Sequence, residues 1–426
     1  MSRNADGMRT GIERAALAVG IGAVLGLSAG LGGCMGHGRN TSEGLTQAQA
    51  RMAQIKSATE WEMAEQAFMA GDLDRALEKV NNSIAMNPGV TKSHVLKGRV
   101  LLETGELEKA RRSLLEAQVI DPTFEEAHYY MGMVNERLAR QEEALQSYEF
   151  AATLNPEEAL YAVAVAEVLI DLNRLDDAQT YLDERAGVFE HNSGVRQTLG
   201  HLAMMRGDKQ AAADFFRDAR LLSPEDSSML EDLIIAQMEI GEFAEAEYGL
   251  SRLLAEEENA GRRDLLRMRA RCLIELDRVI EAREALLHLT SADGGDVDLT
   301  SWLDLGALAY RTNDQTRLRQ AAAKITALAP TRPEGYVYRS IWLRQHGDQQ
   351  KALEVLEQGF ESAEMPIGAV LLRGVLEQDL GMFAAAERSY EAALALDPDD
   401  SRASLLLDML NQPTDGIASF PVPPGE

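Results

Sequence analysis

Residues 91–124 read TKSHVLKGRVLLETGELEKARRSLLEAQVIDPTF, and residues 125–158 continue EEAHYYMGMVNERLARQEEALQSYEFAATLNPEE. Laid one above the other, the two 34-residue strings align Gly98 with Gly132, Ala110 with Ala144 and Pro122 with Pro156. A large apolar residue follows each alanine four places on, Leu114 in one string and Tyr148 in the other. Gly105-Glu106 in the first string is the kind of turn that ends one helix and starts the next. The proline cannot continue a helix, so each string closes there.

Working outward, the same register holds over most of the chain. Pro88, Pro122, Pro156 and Pro224 sit on one 34-residue grid, which sets units beginning at 57, 91, 125, 159, 193, 227, 263, 299, 333 and 367. Position 20 is alanine in nine units, from Ala76 to Ala386, and Leu318 is the exception. Position 8 is small (Ala64, Gly98, Gly132, Ala166, Gly200, Ala270, Gly306, Ser340, Gly374) except at Ile234. Position 24 is large except at Ala322. Position 15 is glycine at Gly71, Gly105, Gly207, Gly241, Gly347 and Gly381.

This pattern resembles the tetratricopeptide (TPR) repeat, a helix–turn–helix of 34 residues. The resemblance covers residues 57–400 and implies an all-α fold, an α-solenoid of about ten TPR helix–turn–helix repeats in a right-handed superhelix. In that family the helices of a hairpin approach most closely at positions 8 and 20, so larger side chains there would clash. Composition agrees, with 45% apolar residues, only 5% aromatic and abundant Ala, Leu and Glu.

Outside the array, Thr46–Ser57 is expected to extend the first helix. Residues 401–412 are read as a capping helix and 413–426, with four prolines, as a disordered tail. Two units are 36 residues long, with the additions near 255–262 and 289–298. A softer seam, and a protease-sensitive loop at 291–298, are expected there.

The first 33 residues form a leader: Arg3, Arg9 and Arg14, then the uncharged run AALAVGIGAVLGLSAGL at 15–31. It ends Leu31-Gly32-Gly33-Cys34, which resembles the bacterial lipobox. That resemblance implies cleavage before Cys34 and lipidation of its thiol, with 34–56 serving as a lipid-anchored tether and the start of the first helix. Met35 after the cysteine, where an aspartate would favour inner-membrane retention, implies the periplasmic face of the outer membrane.

The formal net charge of −27 repels nucleic acid and anionic headgroups, which excludes nucleic-acid binding as the main activity. Two cysteines, Cys34 and Cys272, make no disulfide framework. The string Gly26-Leu27-Ser28-Ala29-Gly30 matches a hydrolase nucleophile elbow in letters but lies in the apolar leader. Asp293, Asp296 and Asp298 lack calcium-loop spacing. His94 and His128 share position 4 of adjacent repeats and are read as packing residues. No nucleophile–base set, metal site or cofactor is expected, and the chain is read as no enzyme.

What remains is the concave face. The resemblance places positions 2, 5, 9, 12 and 13 of each first helix there. In this sequence they give Trp61, Phe68, Arg99, Tyr129, Met133, Arg137, Met204, Met205, Met238, Arg267, Arg271, Tyr310 and Arg344. Val95, Leu102, Leu160, Val163, Ile170, His201, Ile235, Leu371 and others occupy the same positions. An apolar, methionine-bearing groove suits adaptable binding of protein or peptide segments. The carboxylate-clamp set of some TPR domains is absent. The whole resembles bacterial TPR lipoproteins, which include pilus-assembly pilotins, envelope adaptors for proteases and exopolysaccharide secretion scaffolds. It implies an envelope-anchored scaffold or adaptor. A self-assembling envelope lipoprotein and an accessory subunit of an enzyme complex are the alternatives. Oligomeric state is open.

Overall fold

The computed structural model describes residues 39–411, with side chains from residue 47. The leader, Cys34 and the tail at 413–426 lie outside the described residues. Among the described residues there are 21 α-helices, a 3-10 turn at Gly295–Val297 and no strand. None of these helices is long and apolar enough to cross a membrane.

Two compact units divide the chain at Ile240/Gly241. The first holds five hairpins: α1 (Arg39–Met69) with α2 (Leu73–Met86), α3 (Thr91–Glu103) with α4 (Leu107–Ile120), α5 (Glu125–Arg137) with α6 (Gln141–Leu154), α7 (Ala159–Asp171) with α8 (Leu175–Asp183), and α9 (Ser193–Arg206) with α10 (Lys209–Leu222). α11 (Ser227–Glu239) completes it. The second unit opens with α12 (Phe243–Ala255). Four hairpins follow: α13 (Arg263–Glu275) with α14 (Val279–Ser291), α15 (Leu299–Arg311) with α16 (Gln315–Leu328), α17 (Pro333–Gln345) with α18 (Gln349–Ser362), and α19 (Ile367–Asp379) with α20 (Phe383–Leu396). The last helix is α21 (Ser401–Asn411). From α3 to α19, every odd-numbered helix begins at the first residue of its unit as counted from the sequence. α1 starts earlier than Thr46, at Arg39.

The turn inside each repeat has one backbone solution. All ten residues at position 15 take a positive φ, 75–82° at the six glycines and 54–58° at Ala139, Asn173, Asp277 and Asn313. A left-handed residue after a helix lets the following N–H turn back onto the helix end. Asp72 N–H thus donates to Ala67 O at 2.9 Å, and Arg140 N–H to Asn135 O at 2.8 Å. Position 16 then starts the second helix. Asp72, Asp208, Asp314 and Asp348 each accept from the backbone N–H three residues on, at 3.1–3.4 Å.

Inside a hairpin, residue 24 lies directly over position 8. A Cβ added at Gly132 would stand 2.5 Å from the Tyr148 ring, and at Gly200 2.5 Å from Phe216. Gly98 with Leu114 and Gly374 with Tyr390 repeat the relationship. The alanines at position 20 are fully buried. Two rings are also tied by their hydroxyls to position 12 of their own repeat: Tyr148 donates to Glu136 at 2.9 Å and Tyr390 to Gln378 at 3.0 Å.

Successive repeats are joined at the proline turn. The residue at position 4 reaches the proline carbonyl of the repeat before: His94 Nε2 with Pro88 O, His128 Nε2 with Pro122 O and Tyr336 OH with Pro330 O, all at 2.9 Å. These two histidines therefore hold one repeat to the next. α21 caps the last repeat, burying Ala403 and packing Leu406, Leu407 and Leu410 on Val370, Tyr390 and Ala393.

The compact units do not divide at the added residues of the two longer repeats. The division between units falls inside the sixth repeat, the one with Ile234 at position 8, and not within 255–298. The loop at 291–298 is anchored. Gly295 is buried, and its carbonyl accepts the Trp302 indole N–H at 2.9 Å. Arg263 donates to Leu289 O at 2.8 Å and to Asp298 at 2.6 Å.

Candidate functional site

The face formed by the first helices of the repeats carries the residues expected to bind, and packing between neighbours claims part of it. The recurrent contact joins position 9 of one repeat to position 6 of the next. Arg99 stacks on Tyr130, 5.0 Å from guanidinium to ring centroid. His201 Nε2 lies 3.2 Å from Asp232, and Arg271 Nε 3.3 Å from Asp304. Position 6 carries no signal of its own in the repeat pattern, which is why the sequence does not mark it.

In the first unit, Arg99 also lies 4.8 Å above the ring of Phe68, so it is sandwiched between two aromatics. Glu126, nearby, is held above the usual carboxylate range by burial, against the opposing pull of Arg99. Tyr129 sits amid Tyr130, Tyr148 and Tyr161, with ring centroids 5.2–5.5 Å away. Trp61 donates its indole N–H to Lys92 O at 3.3 Å, and the Lys92 ammonium lies over its ring. Arg137 donates to Leu102 O at 2.8 Å, closing the carbonyl end of α3. Met133, expected to line the groove, is buried in the core, as are Val95 and Leu102.

Around α7, α9 and α11 the face is open. Met205 is 57% exposed, Ile235 42% and Leu160 39%. Val163, Ile170, Met204 and Met238 are half-buried beside them. His201 stands between Asp232 and Glu167. Burial pulls its pKa down, but the hydrogen bond to Asp232 and both carboxylate charges outweigh this, so the net shift is upward. Gln197 donates to the same Asp232 oxygen at 2.6 Å. Asp171, at the end of α7, has no hydrogen bond or ion pair among the described residues, and burial raises its pKa. The sequence reading passed over Asp171 and Glu167 because it weighed apolar residues and arginines at these positions.

In the second unit the arginines of this face are paired. Arg267 and Arg263 share Asp298, Arg271 takes Asp304, and Arg344 Nε meets Asp379 at 2.6 Å. Tyr310 stacks on Tyr338 with centroids 6.3 Å apart. Leu371 is buried in the core. The same unit buries Cys272, whose thiol pKa is pushed up to about 11 by burial and by the Glu247 charge. A thiol so shifted is a packing residue rather than a nucleophile at neutral pH. Among the described residues no group of three or more His, Cys, Asp or Glu could hold a metal ion.

The family model described as Tetratricopeptide repeat matches residues 62–123 and 371–407. Several solved structures share the helical-repeat architecture at low identity. PilW, a type IV pilus biogenesis factor, is 16% identical over 48% of this chain and 96% of its own, with a TM-score of 0.43. TTC0263, a thermophilic TPR protein of Thermus thermophilus, is 18% identical over 43% of this chain and 99% of its own, at 0.37. The TPR domain of P58(IPK) is 15% identical over 83% of this chain and 97% of its own, at 0.31. No curated protein sequence matches the chain. Residues 62–123 and 371–407 thus match the tetratricopeptide repeat, and the hairpins between them repeat its TPR-like pattern, with a left-handed residue at every position 15.

Proposed function

We propose that this protein is a non-catalytic scaffold that receives segments of other proteins on the first-helix face of its N-terminal unit, held at the cell envelope by a lipid on Cys34. The observation that carries the binding role is the exposure of a large apolar residue on each of three successive first helices, Leu160, Met205 and Ile235. One exposed apolar residue needs no explanation, but recurrence on consecutive first helices, with half-buried Ile170, Met204 and Met238 at equivalent positions, supports a contact surface. The envelope location is supported by the order of charge, apolar run and Leu-Gly-Gly-Cys in the leader.

A photo-crosslinking residue in place of Met205, in the cells that make the protein, tests the binding role. Adducts with another protein are expected there and absent from the same residue placed at Asp218 on α10. Equal labelling at the two sites, or none at either, would remove the proposal. Adducts with a second copy of the chain would instead favour self-assembly.

A further inference from the structure

We infer that the face at the C-terminal ends of α7, α9 and α11 receives a cationic, apolar protein segment, one presenting Lys or Arg beside Leu- or Met-like side chains. The inference rests on the binding role proposed above and adds the chemistry of the occupant.

Positions 12 and 13 of the three repeats place Ile170, Asp171, Met204, Met205, Met238 and Glu239 at equivalent helix ends. The three helices are linked: α7 packs on α9, and His201 of α9 meets Asp232 of α11. Four of these six side chains are apolar and adaptable. The other two are carboxylates.

Carboxylates outnumber cations on this face. Helices α7, α9 and α11 carry five carboxylates and two arginines. Both arginines are engaged elsewhere: Arg196 donates to Glu190 O at 2.9 Å, and Arg206 pairs with Asp176 at 2.9 Å. Glu239 is met by Lys209 at 2.6 Å and Asp232 by His201, but Asp171 has no counter-charge among the described residues. Each helix dipole also has its negative end here. On the second unit, by contrast, Arg267, Arg271 and Arg344 each have a carboxylate partner, Asp298, Asp304 and Asp379.

An exposed carboxylate without a cation attracts an incoming ammonium or guanidinium, and an acidic segment would be repelled. The methionines accept aliphatic side chains or the methylene stems of Lys and Arg.

Two fluorescent helical peptides test this, identical in their Leu and Met positions but with Lys or Glu at every polar one. Their anisotropy is titrated with the full chain. The Lys peptide is expected to bind more tightly by about tenfold, from several favourable charge contacts against several repulsive ones. Asp171→Asn should weaken it several-fold, whereas Asp218→Asn, an equal loss of charge on exposed α10, should leave it unchanged. Equal weakening by both variants would mean attraction to net charge alone and would overturn the inference. If both peptides bind alike, and Met205→Ser weakens both, the binding face stands and the charge assignment fails. If neither binds, the binding role itself falls.

Discussion

The ring of Tyr338 lies over Gly306, with its Cε2 2.7 Å from where a Cβ would stand on that glycine. In hairpins with glycine at position 8 and a large residue at 24, the same hollow is filled from within the hairpin. The α15–α16 hairpin has Leu318 at position 20 and Ala322 at 24, so its own second helix offers no ring. The next repeat supplies one from α17. The least regular repeat by sequence is thereby bolted to its neighbour, and its stability is shared across the interface. Tyr338→Ala should cost about 2–4 kcal/mol by leaving a cavity on Gly306. Urea unfolding measures this, and Tyr338→Phe is the control that keeps the ring. A loss no larger than for an exposed tyrosine such as Tyr248→Ala would show that the ring is not needed there.

Ala139 holds the left-handed turn conformation, φ 58°, that six other repeats give to glycine. For alanine that conformation costs about 1–2 kcal/mol, partly offset by the larger unfolded-state entropy of glycine. Ala139→Gly should therefore stabilise the chain by about 0.5–1 kcal/mol. Thermal unfolding will show a raised midpoint, whereas a lowered one would mean that the alanine methyl makes a contact worth more than the strain.

His201 ties α9 to α11 through Asp232, and its folded pKa is raised. The stabilisation from a raised pKa is complete below the unfolded value of about 6.5 and is lost as pH rises through the folded value. The first unit should thus gain stability as pH falls from mildly alkaline to mildly acidic. The change should vanish in Asp232→Asn. An imidazole titration followed by NMR should give a midpoint above that of a free histidine. A midpoint below it would mean that burial outweighs the carboxylates.

At the N-terminus, Cys34 follows a charged and then apolar leader ending Leu-Gly-Gly. Radiolabelled palmitate should enter the protein in a bacterial host and be lost in Cys34→Ala, with release from the membrane fraction. Two or more acyl chains anchor stably, at about 0.8 kcal/mol per buried methylene. Unchanged mass and fractionation in the variant would dispose of the anchor.

Much of the fold is legible in the sequence because it depends on local rules repeated in register. Gly132 under Tyr148 and Pro122 before α5 each need only their own hairpin or turn, and a 34-residue comparison reveals them. The site is less legible because it depends on neighbours. Whether Arg99, His201 or Arg271 is free to bind is decided by position 6 of the next repeat, which varies among Tyr130, Asp232 and Asp304. Met133 occupies a groove position in the pattern yet is buried, as part of the core cluster that also holds Tyr148 and Tyr161. The extra residues at 289–298 read as a soft loop because glycine and aspartate are turn formers. The decisive partners, Trp302 and Arg263, lie in helices on either side of it.

That loop supplies the last prediction. Gly295 approaches the end of α14 so closely that a Cβ there would stand 2.3 Å from the carbonyl oxygen of Leu289 and 2.7 Å from that of Thr290. Backbone atoms cannot swing aside as a flexible side chain can, so Gly295→Ala must displace the turn. Its displacement breaks the Trp302 indole bond to the Gly295 carbonyl and strips Trp302, 9% exposed, of its cover. Overpacking of this kind costs about 1–3 kcal/mol, and the lost hydrogen bond about 1 more. Local opening then exposes residues 291–298 to attack. Limited proteolysis with a broad-specificity protease should cut this segment faster in Gly295→Ala than in the native chain, where the anchored turn resists. Gly294→Ala, strained at φ 76° but with open space around it, should cost less. Equal cleavage rates in the native chain and Gly295→Ala would mean that the segment is already open in solution, as its composition alone suggests.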